Sequence, residues 1–238
     1  VRVIPVLLLR NWGLEKSIQF ATPKYVGCPI NAARVFNGKN VDELILLDII
    51  ATEERRGPQI EVVRQIAGES YMPFTVGGGI RTVDGMWDLL KAGADRVVVN
   101  TAAIEDPDLV ARGADRFGRQ CMVVSIDVRR HADGRREVFT HAGRKATGLD
   151  PVETAMRMEK HGAGEIFLTS IDCDGTMDGY DIELVRSVAD AVSIPVIACG
   201  GAGSVAHLAQ AVYEGHASAV AAGAFFLFYA NPRTRYIT

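Results

Sequence analysis

Two glycine clusters and a set of short-range carboxylates carry the chemistry legible in this chain. Thr75-Val-Gly-Gly-Gly-Ile80 reads as the end of a strand running into a helix. Its backbone N–H groups, unobstructed by side chains, can approach an anion at a helix N-terminus, and Gly79 is the candidate contact. Asn100 and Thr101, one strand later, add side-chain and backbone donors beside it. A second cluster, Gly200-Gly201 with Ala222-Gly223, has the same form. Two such sites call for a ligand with two phosphates. Asp127 closes the run Ser125-Ile-Asp127, and Asp172-Cys-Asp174-Gly175-Thr176 closes another. Carboxylates at strand ends can serve as general acid or base on a phosphorylated substrate. Asp174-Gly175 is also a turn signal, with Asp bonding its own backbone.

The elements that must hold these groups alternate. Strand candidates are Arg2–Leu8, Glu43–Asp48, Pro73–Val76, Asp95–Val99, Cys121–Asp127, Glu165–Ser170, Ile194–Ala198 and Ser218–Ala221. Helical periodicity falls near 30–38, 58–67, 82–92, 107–116, 151–161, 182–191 and 204–213. Apolar strands alternating with helices mean a parallel sheet, either open and doubly wound or closed. An internal repeat selects closure. A shift of 122 residues (165 − 43) lays Gly77–Gly79 on Cys199–Gly201, Gly93 on Gly215, Val98 on Val220 and Glu43 on Glu165. Two half-barrels of four βα units close into a single (β/α)8 TIM barrel spanning 1–238, whose chemistry belongs at the C-terminal strand ends.

Composition sets the limits. The 238 residues are 48% apolar and 23% charged with net charge −3, which describes a well-cored globular protein rather than a disordered one. That balance provides no field for nucleic acid or an anionic membrane. Arg129, Arg130, Arg135, Arg136, Arg144 and Lys145 flank an expected hairpin around 132–134, but acids interrupt them. They read as a solvated face or as a loop over an anionic ligand. No apolar run reaches the ~20 residues of a membrane helix, and VRVIPVLLLR is too short for a secretory signal, so a cytoplasmic protein is expected. Cys28, Cys121, Cys173 and Cys199 lie far apart and are expected to be reduced, mostly buried thiols. Neither a metal nor a cofactor is indicated.

The segments TVGGGI (75–80), GADRVVVNTAA (93–103), SID (125–127), GAGEIFLTSIDCDGT (162–176) and ACGGAG (198–203) together resemble the cyclase subunit of imidazole glycerol phosphate synthase, over the chain from its first residue to about Phe226. That resemblance implies a (β/α)8 barrel acting on a bisphosphorylated aminoimidazole, with a glutaminase docked on its N-terminal face and ammonia passing along its axis. It also implies phosphate contacts at Gly79, Asn100 and Thr101 on one side, and at Asp174, Gly175, Gly201, Ala222 and Gly223 on the other. Lys16 keeps the position of the family's loop-1 lysine.

The family uses two aspartates. Asp127 matches one, but the C-L-D-V motif of the other falls on Val6-Leu7-Leu8-Leu9, and leucine has no proton to exchange. The repeat agrees independently: at a shift of 119 (127 − 8), Leu8 overlays Asp127. Ile50 likewise replaces the threonine of L-D-I-T, and the chain ends in FFLFYANPRTRYIT in place of the family's long last helix, leaving 227–238 as an atypical tail.

These departures, with KYVGCPINAARVFNGKNVDELILLDI at 24–49, resemble the branch found with surface-polysaccharide genes, in which barrel and glutaminase supply ammonia to a sugar amidotransferase. Arg2, Glu43, Arg96 and Glu165 stand at the strand entries, where the family has a salt-bridge ring gating ammonia; a purely stabilising charge network is the plainer reading. Asp95 and Gln120 match positions facing the glutaminase. The alternatives are an authentic cyclase, with Asp127 assisted by Asp48 or Asp174, and a non-catalytic scaffold that binds a phosphorylated ligand.

Overall fold

The computed structural model describes residues 1–228. In chain order its elements are β1 (Arg2–Arg10), β2 (Gly13–Ile18), β3 (Ala21–Gly27), α1 (Pro29–Gly38), β4 (Leu44–Asp48), α2 (Ile60–Ala67), β5 (Phe74–Gly77), α3 (Val83–Lys91), β6 (Arg96–Val99), α4 (Thr101–Glu105) and α5 (Asp108–Phe117). There follow β7 (Met122–Arg130), β8 (Arg136–Thr140), β9 (Lys145–Ala146), α6 (Pro151–Lys160), β10 (Glu165–Ser170), α7 (Ile182–Ala189), β11 (Val196–Cys199), α8 (Val205–Tyr213), β12 (Ala219–Ala222) and α9 (Ala224–Phe228).

Eight parallel strands pair in the order β10-β11-β12-β1-β4-β5-β6-β7, and β7 pairs back onto β10. The sheet is therefore a closed (β/α)8 TIM barrel, and the strands lie within three residues of their expected bounds. Closure leaves the eight barrel strands without a free edge. Sequence alternation decides the two layers: Leu7 and Leu9 pack outward under the helices, whereas Ile4, Val6 and Leu8 face the axis. On β7, Met122, Val124 and Ile126 are outward, leaving Val123, Ser125 and Asp127 on the inner face.

Local chemistry sets the helix starts. Thr82, Asp150, Asp181 and Ser204 each accept a backbone N–H of the first turn of α3, α6, α7 and α8, and Pro151 opens α6 with its fixed φ.

The repeat is geometric as well as textual. Leu8 pairs with Leu47 in one half, and Asp127 pairs with Thr169, 122 residues beyond Leu47, in the other. Gly78 (φ 108°) and Gly200 (φ 92°) occupy equivalent turns in which a Cβ would run into the carbonyl of Asp48 and of Ser170 respectively. Both positions require glycine for conformation and for space.

The sequence reading missed β2, β3, β9, α4 and α9, since short hairpin strands and one-turn helices lack a periodic signature. It also expected mostly buried thiols, whereas only Cys199 is buried; Cys28, Cys121 and Cys173 are half-buried, because they lie in connections and not in strand cores. Positions 229–238 of the expected tail lie outside the described residues, and 227–228 belong to α9.

Candidate functional site

The C-terminal strand ends surround a cavity of about 530 Å³, covered by the β2–β3 and β8–β9 hairpins. Asp127 is 8% exposed at its floor. Its Oδ2 accepts from Asn100 Nδ2 at 3.1 Å and its Oδ1 from Ser125 Oγ at 3.3 Å, both neutral donors. Burial raises its pKa to about 7, helped by the charge of Asp174 and opposed by those two hydrogen bonds. A carboxyl poised there can take or give a proton at neutral pH.

The Asn100 amide is oriented by its neighbours. His141 N–H donates to Thr101 Oγ1 at 3.0 Å, Thr101 donates to Asn100 Oδ1 at 3.2 Å, and Asn100 Nδ2 donates to Ser125 O and to Asp127. This directed chain keeps Asp127 an acceptor.

Opposite Asp127 in the repeat stands Leu8, half-buried on the same cavity wall with Val6, Leu47, Ile50, Val98 and Phe167. One half of the mouth thus carries an acid and the other is apolar. Asp48 and Asp174, expected as possible helpers of Asp127, are both committed. Asp48 is gripped by Arg56 through two bonds at 2.6 and 3.0 Å, and also accepts from Gln59 and from the N–H groups of Ile50 and Ala51. Asp174 receives both carboxylate bonds from buried Lys16, at 3.0 and 2.8 Å. Both carboxylates are thus occupied in ion pairs within the chain.

Of the residues expected to bind phosphate, Gly79, Asn100 and Thr101 all line the cavity. The second cluster assembles in part. Asp174, Gly223 and Lys16 line the cavity, whereas Gly175, Gly201 and Ala222 do not. Gly175 abuts the Ser17 carbonyl, the Gly201 carbonyl accepts Gly179 N–H at 2.8 Å, and Ala222 pairs with Pro5. The β2–β3 hairpin, brought down by Lys16 and by Gln19 N–H on Asp174 O, covers that side. Sequence reading missed Arg56 and Ser125; nothing in the local pattern marks Arg56, while Ser125 sits in the quoted SID run.

Five of the six residues of the expected basic stretch are spent on this chain's own groups: Arg129 lies over the Phe139 ring, Arg135 pairs with Glu137, Arg136 with Asp181 and Glu183, Arg144 with Glu53 and Lys145 with Glu105.

At the other end of the barrel Arg2, Glu43, Arg96 and Glu165 meet in a closed ring. Arg2 bonds Glu43 at 2.5 Å and also Glu165; Arg96 reaches Glu165 at 3.0 Å and Glu43 at 3.3 Å. Thr75 Oγ1 donates to Glu43 at 2.7 Å. Burial raises the Glu165 pKa against the pull of both arginines. Burial opposes the Arg2 charge, but the hydrogen bonds and charges of Glu165 and Glu43 outweigh it, and its pKa rises. Asp95 and Gln120 are exposed on this face, with Asp95 Oδ2 accepting Phe74 N–H at 2.8 Å and Gln120 donating to Phe117 O at 3.2 Å. Among the described residues no group of three metal-ligating side chains comes together, and no helix is long and apolar enough to cross a membrane.

Asp127→Asn is expected to stabilise the fold at pH 8 and not at pH 4. A carboxyl whose folded pKa lies above its unfolded value holds its proton preferentially in the folded state, so stability falls as pH rises from about 4 to about 7. The amide removes that loss, on the order of 2 kcal/mol at pH 8. Urea melts of both proteins at the two pH values check it; equal differences at pH 4 and 8 would contradict the raised pKa.

The family model described as histidine biosynthesis protein matches residues 2–230. The chain belongs to the histidine biosynthesis protein family of (β/α)8 barrels.

Proposed function

We propose that the chain is the cyclase-like barrel of a glutamine amidotransferase pair. It receives ammonia from a separate glutaminase at the ring face and releases it at the mouth, in the cytoplasm, to an amidotransferase acting on a nucleotide-linked sugar of surface-glycan biosynthesis. The observation that carries this reading is the pairing of an intact four-charge ring with a mouth in which Leu8 stands opposite Asp127.

Ammonia transfer and ring closure make different demands. A conduit needs an entry that can be held shut, a dry passage and one group to adjust protonation at the exit. The ring supports the first. The interior of Ile4, Val6, Ile45, Val98, Val123 and Ala221 supports the second, since an apolar environment favours neutral ammonia over ammonium. Asp127, with its pKa near 7, supports the third. Cyclisation with acid and base steps calls for a second carboxylate, and Asp48 and Asp174 are held by Arg56 and Lys16. That weighs against an authentic cyclase.

Glutamine hydrolysis by the cognate glutaminase tests the pairing. Mixing the purified partners is expected to raise the rate on the order of 10²-fold or more, as for an active site completed by docking. Isotope-labelled ammonia measured in the sugar product then reports delivery. A glutaminase unaffected by this barrel would sink the proposal.

A further inference from the structure

The cavity is nearly self-neutralised. Beside His141, Arg144 pairs with Glu53 and Lys145 with Glu105; across the mouth Lys16 pairs with Asp174. The remaining lining carboxylates also have cations, Asp48 taking Arg56 and Asp106 taking Arg112, and Arg10 takes Glu15. Apart from the buried Cys199 thiol, three ionisable groups on the wall have no partner of opposite charge among the described residues: Asp127, Arg81 and His141. Arg81 Nη2 donates to the Thr52 carbonyl at 3.1 Å, which leaves its charge uncompensated. It follows Gly79 by two residues.

His141 is placed with similar definition. Its backbone N–H holds Thr101, so it belongs to the same wall as Asn100 and Thr101. It follows Thr140 at the end of β8, whose antiparallel register sets Phe139 against Asp127, and it lines the same cavity as that carboxylate. His141 Nδ1 lies 3.1 Å from Thr140 Oγ1, so that nitrogen is engaged and Nε2 is the ring atom left to meet a ligand. Nε2 has no hydrogen-bond partner among the described residues.

We propose that Arg81 and His141 supply the positive charge of the anion subsite formed with Gly79, Asn100 and Thr101, and that His141 makes this subsite bind tetrahedral anions more tightly in acid than in base. The inference rests on the reading of this wall as a phosphate site and adds the residues that set its affinity and pH response. A protonated His141 ring is a charged donor on the cavity wall beside Thr101, and charge-assisted hydrogen bonds to an anion are the strong ones. Asp127, ionised above neutrality, works in the same direction by repulsion, so it must be silenced in the test.

Sulfate is the probe, because it is a tetrahedral dianion that does not itself titrate between pH 5.5 and 8. Calorimetric titrations of the full chain in the Asp127→Asn background are expected to show sulfate bound about tenfold more tightly at pH 5.5 than at pH 8, the equivalent of one charge-assisted bond. Adding His141→Gln, which keeps a neutral polar side chain, is expected to abolish that difference. Adding Arg81→Gln instead weakens binding about tenfold at both pH values and preserves the pH response. Retention of the pH response without His141 overturns the assignment, as does the absence of sulfate binding at either pH in the Asp127→Asn protein. The second result also removes the phosphate reading of this wall, but leaves the glutaminase pairing untouched, since that is measured without any anion. Thermal melts of each variant establish that it is folded.

Discussion

Replacing Leu8 by aspartate is expected to create ring-forming activity that the natural chain lacks. In single turnovers with the bisphosphorylated aminoimidazole substrate and excess ammonium salt, the natural protein is expected to be silent or 10²–10⁴-fold slower than Leu8→Asp, the range one positioned acid or base supplies. Ammonium salt bypasses the glutaminase, so the comparison isolates the mouth. The physical basis is the register: Leu8 pairs with Leu47 as Asp127 pairs with Thr169, and both face the axis at the cavity floor. A carboxylate at position 8 would restore the second member of a two-fold pair.

Its environment would also shape its titration. Val6, Leu47 and Phe167 line the same cavity, so burial would raise the new pKa, and a second carboxyl near Asp127 would split the two values further. Leu8→Asn, polar but without a titratable proton, is the control and is expected to remain silent. Turnover by the natural protein at about 1 s⁻¹ or more, typical of enzymes, would make it a cyclase and retire the two-aspartate argument.

Glu43→Ala is expected to be the most damaging change in the ring. Glu43 is 1% exposed and accepts from Arg2, Arg96 and Thr75. Without it, two guanidinium groups share the single carboxylate of Glu165 and the Thr75 hydroxyl loses its acceptor. Breaking a buried ion pair from one side costs about 3–5 kcal/mol. The arginine side chains are about 30% exposed, so the lower end applies. For a chain of this size a 3 kcal/mol loss lowers Tm by roughly 6–12 °C. Glu43→Gln, which can still accept from Thr75, should lose less. A loss under about 1 kcal/mol for Glu43→Ala would put the ring among ordinary surface ion pairs.

The amino-acid sequence by itself determined the barrel, its eight strands and the face on which chemistry belongs. Short apolar runs alternating with helical periodicity, and a repeat that preserves glycines, are signals read along the chain without knowing which residues meet. The absence of a proton at position 8 was equally legible, because a side chain's functional groups are fixed by its identity.

Only the tertiary structure decided which charges remain uncompensated. Arg56 reaches Asp48 across a loop, Lys16 crosses the mouth to Asp174, and Arg144 and Lys145 cross to Glu53 and Glu105. Asp127, Arg81 and His141 stand apart from these pairs, and Gly175, Gly201 and Ala222 fall off the cavity wall although their residue types fit a phosphate site. The reason is physical: pairing energy depends on distance and burial between residues as much as 158 positions apart, and those quantities exist only once the barrel has closed.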